Sequence, residues 1–144
     1  MERYAHFLKV LNLKATPKRL AVLDILSREK IYLSPEEVWT KLKERFSTVG
    51  LPTVYRNLEE LADGGIIFKM IHPDRKLYYF FCDNKSHHHH FVCTGCRKVE
   101  DLNYCAFEEI EREVSENLNG TVSSHIIQVF GTCRQCSSLN KEGR

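Results

Sequence analysis

The chain has 144 residues, 42% of them apolar and 28% charged, with 21 Lys and Arg against 19 Asp and Glu. That balance fits one folded domain or two small ones and excludes a disordered or fibrous chain. Charge is uneven along the sequence: residues 1–83 carry 14 basic and 11 acidic side chains, residues 84–144 carry 7 and 8. The first part is therefore the better candidate for contact with phosphate. No apolar run reaches the length of a membrane span, and Met1-Glu2-Arg3-Tyr4 opens a helical pattern rather than a signal peptide. A cytoplasmic protein with no membrane partner is expected. In that reducing compartment six cysteines point to metal ligation rather than to a disulfide framework.

Tyr4, Phe7, Leu8 and Leu11 recur at helical spacing and predict a first amphipathic helix. Thr16 caps a second, with Pro17 at its first position and Val22, Ile25 and Leu26 inward. Ser34-Pro35-Glu36-Glu37 is a capping box that starts a third, burying Val38, Trp39 and Leu42. A fourth begins near Pro52, buries Val54, Leu58 and Leu61, and stops at Gly64-Gly65. Two runs rich in β-branched and aromatic residues follow, 66–71 and 76–81, joined by the turn His72-Pro73-Asp74-Arg75. Helices followed by a hairpin predict a winged helix-turn-helix. The fourth helix shows Thr53, Arg56, Asn57 and Glu60 opposite its apolar stripe, with Tyr55 at the stripe's edge. Arg and Asn suit base edges and Arg suits phosphate; the same residues equally suit a solvated face beside a core tyrosine. Lys14, Lys18 and Arg19 make a basic entry to the second helix, fit for phosphate or simply for surface.

The second half is organised by potential ligands. Cys93-Thr94-Gly95-Cys96 and Cys133-Arg134-Gln135-Cys136 are separated by 36 residues. Two such turns present four thiolates to a tetrahedral Zn²⁺ with no open position, a structural rather than a catalytic arrangement. Redox CXXC chemistry is the weaker alternative, since no thioredoxin-like βαβ order accompanies it. A half of about 60 residues has a thin core and gains from a metal staple. Between the turns the pattern predicts strands at 99–102 and 126–130 and a helix around 104–118 with Phe107, Ile110, Val114 and Leu118 on one face. Just before the first turn stands His87-His88-His89-His90. In a strand, His88 and His90 share one face and His87 and His89 the other, so two sites can flank one strand; an exposed polar strand end is the alternative.

The segments 13–19, 53–58, 87–96 and 131–136 together resemble the ferric uptake regulator superfamily over nearly the whole chain. The resemblance implies an α+β protein: a winged-helix DNA-binding domain with hinge over 1–83, then a small α/β metal-binding dimerisation domain over 84–144 with a structural four-cysteine zinc site. It implies a homodimer that closes on palindromic double-stranded operator DNA when metal binds, with no small organic substrate. It places regulatory metal on His88, His90 and Asp101, and a further site on His87, His89, Glu108 and His125. Two departures matter. Ile31-Tyr32 stands where iron and peroxide sensors of the family carry a histidine, and the last wing strand ends in aromatics and Cys82 rather than a carboxylate. A hinge cysteine resembles the zinc uptake regulators, with His72 as a candidate fourth ligand, and a thiolate with imidazoles favours Zn²⁺ over Fe²⁺ or Mn²⁺. As a small buried hydrophobe, Cys82 would carry no such meaning.

The expected function is a metal-dependent repressor of metal-homeostasis genes, sensing zinc through its regulatory site. An iron-responsive regulator or peroxide sensor of the same superfamily is the alternative. A zinc hydrolase or deaminase is disfavoured, because the four-cysteine site is closed and no HEXXH or HXE arrangement is present. A metal store would leave the winged helix unexplained.

Overall fold

The computed structural model describes residues 2–84 and 86–142, and divides into two compact units, Met1–Asn84 and Lys85–Arg144.

The first unit holds four helices and a hairpin: α1 (Glu2–Val10), α2 (Pro17–Glu29), α3 (Pro35–Lys43), α4 (Leu51–Asp63), β1 (Ile67–Ile71) and β2 (Leu77–Phe81). Local chemistry sets the boundaries. The Thr16 hydroxyl accepts the Arg19 N–H, with Pro17 opening α2. Ser34 and Glu37 exchange reciprocal hydrogen bonds of 3.1 Å at the start of α3, which satisfies two otherwise unpaired donors. Gly65 closes α4 in the left-handed region at φ 76°, where a side chain would be strained. Antiparallel β1 and β2 pair in register Ile67 to Phe81 through Ile71 to Leu77, and Leu33 bridges to Tyr79. The core gathers Leu8, Val22, Leu26, Val38, Leu42, Val54, Leu58, Leu61 and Tyr79, all essentially closed to solvent.

The second unit is a three-stranded sheet in order β4-β3-β5 with two helices: β3 (His89–Cys93), β4 (Val99–Leu102), α5 (Phe107–Asn117), β5 (Gln128–Gly131) and α6 (Arg134–Glu142). β3 runs antiparallel to β4 and parallel to β5. Two predicted elements are shorter than their sequence patterns. The last strand begins at Gln128 rather than residue 126, because its pairing starts at Gln128 opposite His90, and Ile126 stays exposed. The helix begins at Phe107, leaving 103–106 as a loop. Helix α6 has no counterpart in the sequence pattern. Among the described residues of this unit only His89, His90, Val92 and Cys93 are buried, and α5 buries none of its side chains. No described helix is long and apolar enough to cross a membrane.

Candidate metal centres and nucleic-acid interface

The two CXXC turns meet. Cys93 ends β3, Cys96 lies in the turn that follows, Cys133 comes just after β5, and Cys136 lies in the first turn of α6. Their four sulfurs lie within 4.8 Å of one another, and Cys96 and Cys133 Sγ are 3.7 Å apart. Zinc–sulfur bonds of about 2.3 Å at tetrahedral angles place sulfurs ~3.8 Å apart, so the donor set fits Zn²⁺. A Cβ on Gly95 would come within 2.9 Å of Cys136 Sγ, so the turn closes around the sulfurs only with glycine there. Burial opposes ionisation of Cys93, yet backbone N–H groups of Cys96, Cys133 and Gly95 outweigh it and bring the thiol down to about 6. The sulfurs of Cys133 and Cys93 push Cys136 up to about 12. Thiolates so crowded need a cation at their centre to ionise together. No disulfide joins any of the cysteines.

The four histidines part to two faces, His87 and His88 lying just before β3 and His89 and His90 opening it. His88 and His90 emerge on one face, their Nε2 atoms 3.0 Å apart. Asp101, opposite His90 on β4, brings Oδ1 to 3.5 Å from His88 Nε2 and 4.0 Å from His90 Nε2. The His88 Nδ1–H donates to the Ser86 carbonyl at 2.6 Å. That orients the ring and leaves Nε2 to accept a metal. Burial, aided by the neighbouring His88, holds His90 down to about 4, so its lone pair is open at neutral pH. Cys82 is half-buried just after β2, at the end of the first unit. His72 is engaged inside the wing: its Nδ1 accepts the Asp74 N–H at 3.0 Å and its Nε2 pairs with the Tyr32 hydroxyl at 3.1 Å. A metal would have to displace one of these partners.

His87 and His89 turn to the other face and meet His125 and Cys105. The carboxylate expected there, Glu108, is exposed in the first turn of α5 and is not part of the group. Cys105 has no CXXC partner to flag it, and its spacing does not single it out. Its one sequence signal is that it lies three residues before that glutamate.

The nucleic-acid candidates divide as well. Tyr55 and Arg56 are exposed on α4, Thr53 is half-buried, and Lys14 is exposed in the loop before α2. Thr53 and Arg56 line a mostly apolar cleft with Thr16, Pro17, Lys18, Phe46 and Asn57, in which Lys18 and Arg56 are the cationic side chains able to meet phosphate. Tyr55 donates to Glu36 at 2.8 Å. Asn57 is buried and accepts from Arg19 Nε at 3.2 Å, while the same guanidinium pairs with Glu60 and donates to the Lys14 carbonyl at 2.9 Å. Arg19 and Asn57 thus join α2 to α4.

Comparison with known proteins follows the same lines. The model of the "Ferric uptake regulator family" matches residues 11–130. A ferric uptake regulation protein of Staphylococcus epidermidis is 32% identical over 129 residues, covering 90% of each chain. The peroxide operon regulator of Bacillus subtilis is 27% identical over 130 residues, 90% of this chain and 88% of that one. The solved ferric uptake regulator of Vibrio cholerae superposes with TM-score 0.63 at 30% identity, over 90% of this chain and 99% of that one. A zinc uptake regulator solved with zinc and DNA superposes with TM-score 0.78 at 24% identity, over 97% and 94%; at that identity the likeness bears on the fold alone.

Proposed function

This chain belongs to the ferric uptake regulator family, and from that premise we propose that it is a zinc-responsive, DNA-binding repressor rather than an enzyme. The observation that carries the reading is the convergence of Nε2 of His88, just before β3, and of His90, on β3, with the Asp101 carboxylate on β4. If the hinge cysteine Cys82 singled out in the sequence is the fourth donor, the set is two imidazoles, a carboxylate and a thiolate. Such a set favours Zn²⁺ over Fe²⁺ or Mn²⁺. Cys82 follows the last wing strand and precedes β3 by a short linker, so an ion held there favours one arrangement of the wing. Metal controls DNA affinity to the extent that it binds that arrangement more tightly than others. Operator contact falls to Thr53, Tyr55 and Arg56 of α4, with Lys14 and Lys18 on phosphate. Ile110 on α5 and Leu118 just past its end are exposed, apolar surface that supports a homodimer, and a two-fold dimer in turn calls for palindromic DNA.

An iron- or peroxide-responsive regulator is the second reading, favoured by the ferric and peroxide relatives at 32% and 27% identity. Anaerobic titration of Zn²⁺, Fe²⁺ and Mn²⁺ against a labelled duplex from the gene's own upstream region separates the two, with Cys82→Ser in parallel. Binding driven by low free Zn²⁺ and lost in Cys82→Ser is the expected result. Binding driven by Fe²⁺ or Mn²⁺ and indifferent to Cys82→Ser overturns it. Gain of one oxygen on His88 or His90, after peroxide treatment of the iron-loaded protein only, would establish the peroxide reading.

A further inference from the structure

Three imidazoles in the second unit aim the same atom at one sulfur. Cys105 Sγ lies 3.5 Å from His87 Nε2, 3.1 Å from His89 Nε2 and 3.5 Å from His125 Nε2. Bonds of about 2.0 Å to nitrogen and 2.3 Å to sulfur at tetrahedral angles set nitrogen and sulfur ~3.5 Å apart. The donors are drawn from β3 and its approach, from the loop before α5, and from the segment between α5 and β5. The group is locally supported: His89 is buried, and the Phe107 ring stacks on His125 at 4.8 Å between centroids and 19° between planes.

We propose that this chain's version of the further site implied by the family resemblance is a closed tetrahedral centre on His87, His89, Cys105 and His125 for a borderline divalent ion of the Zn²⁺ and Co²⁺ kind, with Cys105 as thiolate ligand in place of the expected Glu108 carboxylate. Three neutral imidazoles and one thiolate leave an ion of charge two with a net charge of one, and fill all four positions. A site of this composition discriminates against Mn²⁺ and Fe²⁺, which prefer oxygen-rich sets. It also has a structural consequence. Residues 119–127 contain no helix or strand, and His125 is the point at which an ion would tie that segment to β3. The inference is independent of which metal the regulatory site senses and of whether the protein represses.

The test uses the full-length Cys82→Ser chain, so that Cys105 is the one cysteine outside the four-cysteine cluster, with structural zinc assayed at one per chain throughout. Co²⁺ is titrated under anaerobic, reducing conditions and followed by near-ultraviolet sulfur-to-cobalt charge transfer. Expected is a band that saturates at one equivalent, disappears on adding Cys105→Ser, and survives Glu108→Gln. His125→Ala should weaken Co²⁺ binding and raise amide exchange across 119–127. Circular dichroism checks that each variant folds. No charge-transfer band in the parent, a band unchanged by Cys105→Ser with zinc still bound, or a band lost in Glu108→Gln would each overturn the proposal.

Discussion

Arg19 and Arg56 carry the same charge on neighbouring helices and are set to different tasks. Arg19 spends its guanidinium on Asn57, Glu60 and the Lys14 carbonyl; Arg56 stays exposed, lining the cleft with Lys18. Removing Arg19 strands the buried Asn57 amide, so Arg19→Ala should cost about 1–3 kcal/mol of stability, read as a lower denaturation midpoint. Arg56→Ala should leave the midpoint in place and weaken duplex binding by about 10- to 100-fold; equal effects on stability from both would refute the division. Asp24 offers a pH test. It is buried on α2 and pairs with Arg28 at 2.8 Å and Arg45 at 2.9 Å. Burial works against its charge, but the two guanidinium hydrogen bonds prevail and hold the carboxyl below its ordinary 3.8. A carboxyl lowered on folding stabilises the protein above the unfolded value and loses that contribution as pH falls through the folded one. The excess stability of the parent over Asp24→Asn should therefore be constant near neutrality and shrink only below about pH 4, measured by denaturant unfolding across pH. A difference that vanishes between pH 5 and 7 would point to another group.

At the scale of the element, short-range chemistry is strongest at helix starts. Ser34 and Glu37 cap α3, which carries Val38 and Leu42 into the core. Ser34→Ala should destabilise the first unit by about 0.5–2 kcal/mol, visible as faster amide exchange in the first turn of α3 with α4 unchanged. Strand β3 shows how one element can serve two sites. β3 and the two residues leading into it send His88 and His90 to one face and His87 and His89 to the other, and neighbouring strands and loops bring a different partner set to each. Helix α5 is the contrary case: its apolar stripe is clear in the sequence, but among the described residues Phe107 and Val114 are only half-covered and Ile110 stays exposed.

For the whole molecule, the two units are stabilised differently. The first has a continuous apolar core. The second buries only four described residues, of which two are histidines and one is Cys93, so its order should depend on metal. Stripping the four-cysteine zinc from the full chain with a strong chelator should raise amide exchange throughout 86–142 while α2, α3 and α4 stay protected. Retained protection in 86–142 after confirmed zinc loss would contradict the staple.

Much of this was legible from the residues alone. Thr16-Pro17, Ser34-Pro35 with Glu37, and Gly64-Gly65 mark helix ends because caps act over three or four residues. The CXXC pairs declare themselves because two ligands on one turn need a fixed spacing, and the histidine run divides by strand parity. What the tertiary structure decided is what depends on contacts between distant segments. The parallel placement of β5 beside β3, the Arg19 link to Asn57, and the Cys105 sulfur among three imidazoles all join residues 15 or more apart in sequence. Cys105 reaches the group because it precedes the start of α5, in a loop free to fold over β3; Glu108, one residue inside the helix, is carried to the solvent side. No pattern over a few residues contains that choice.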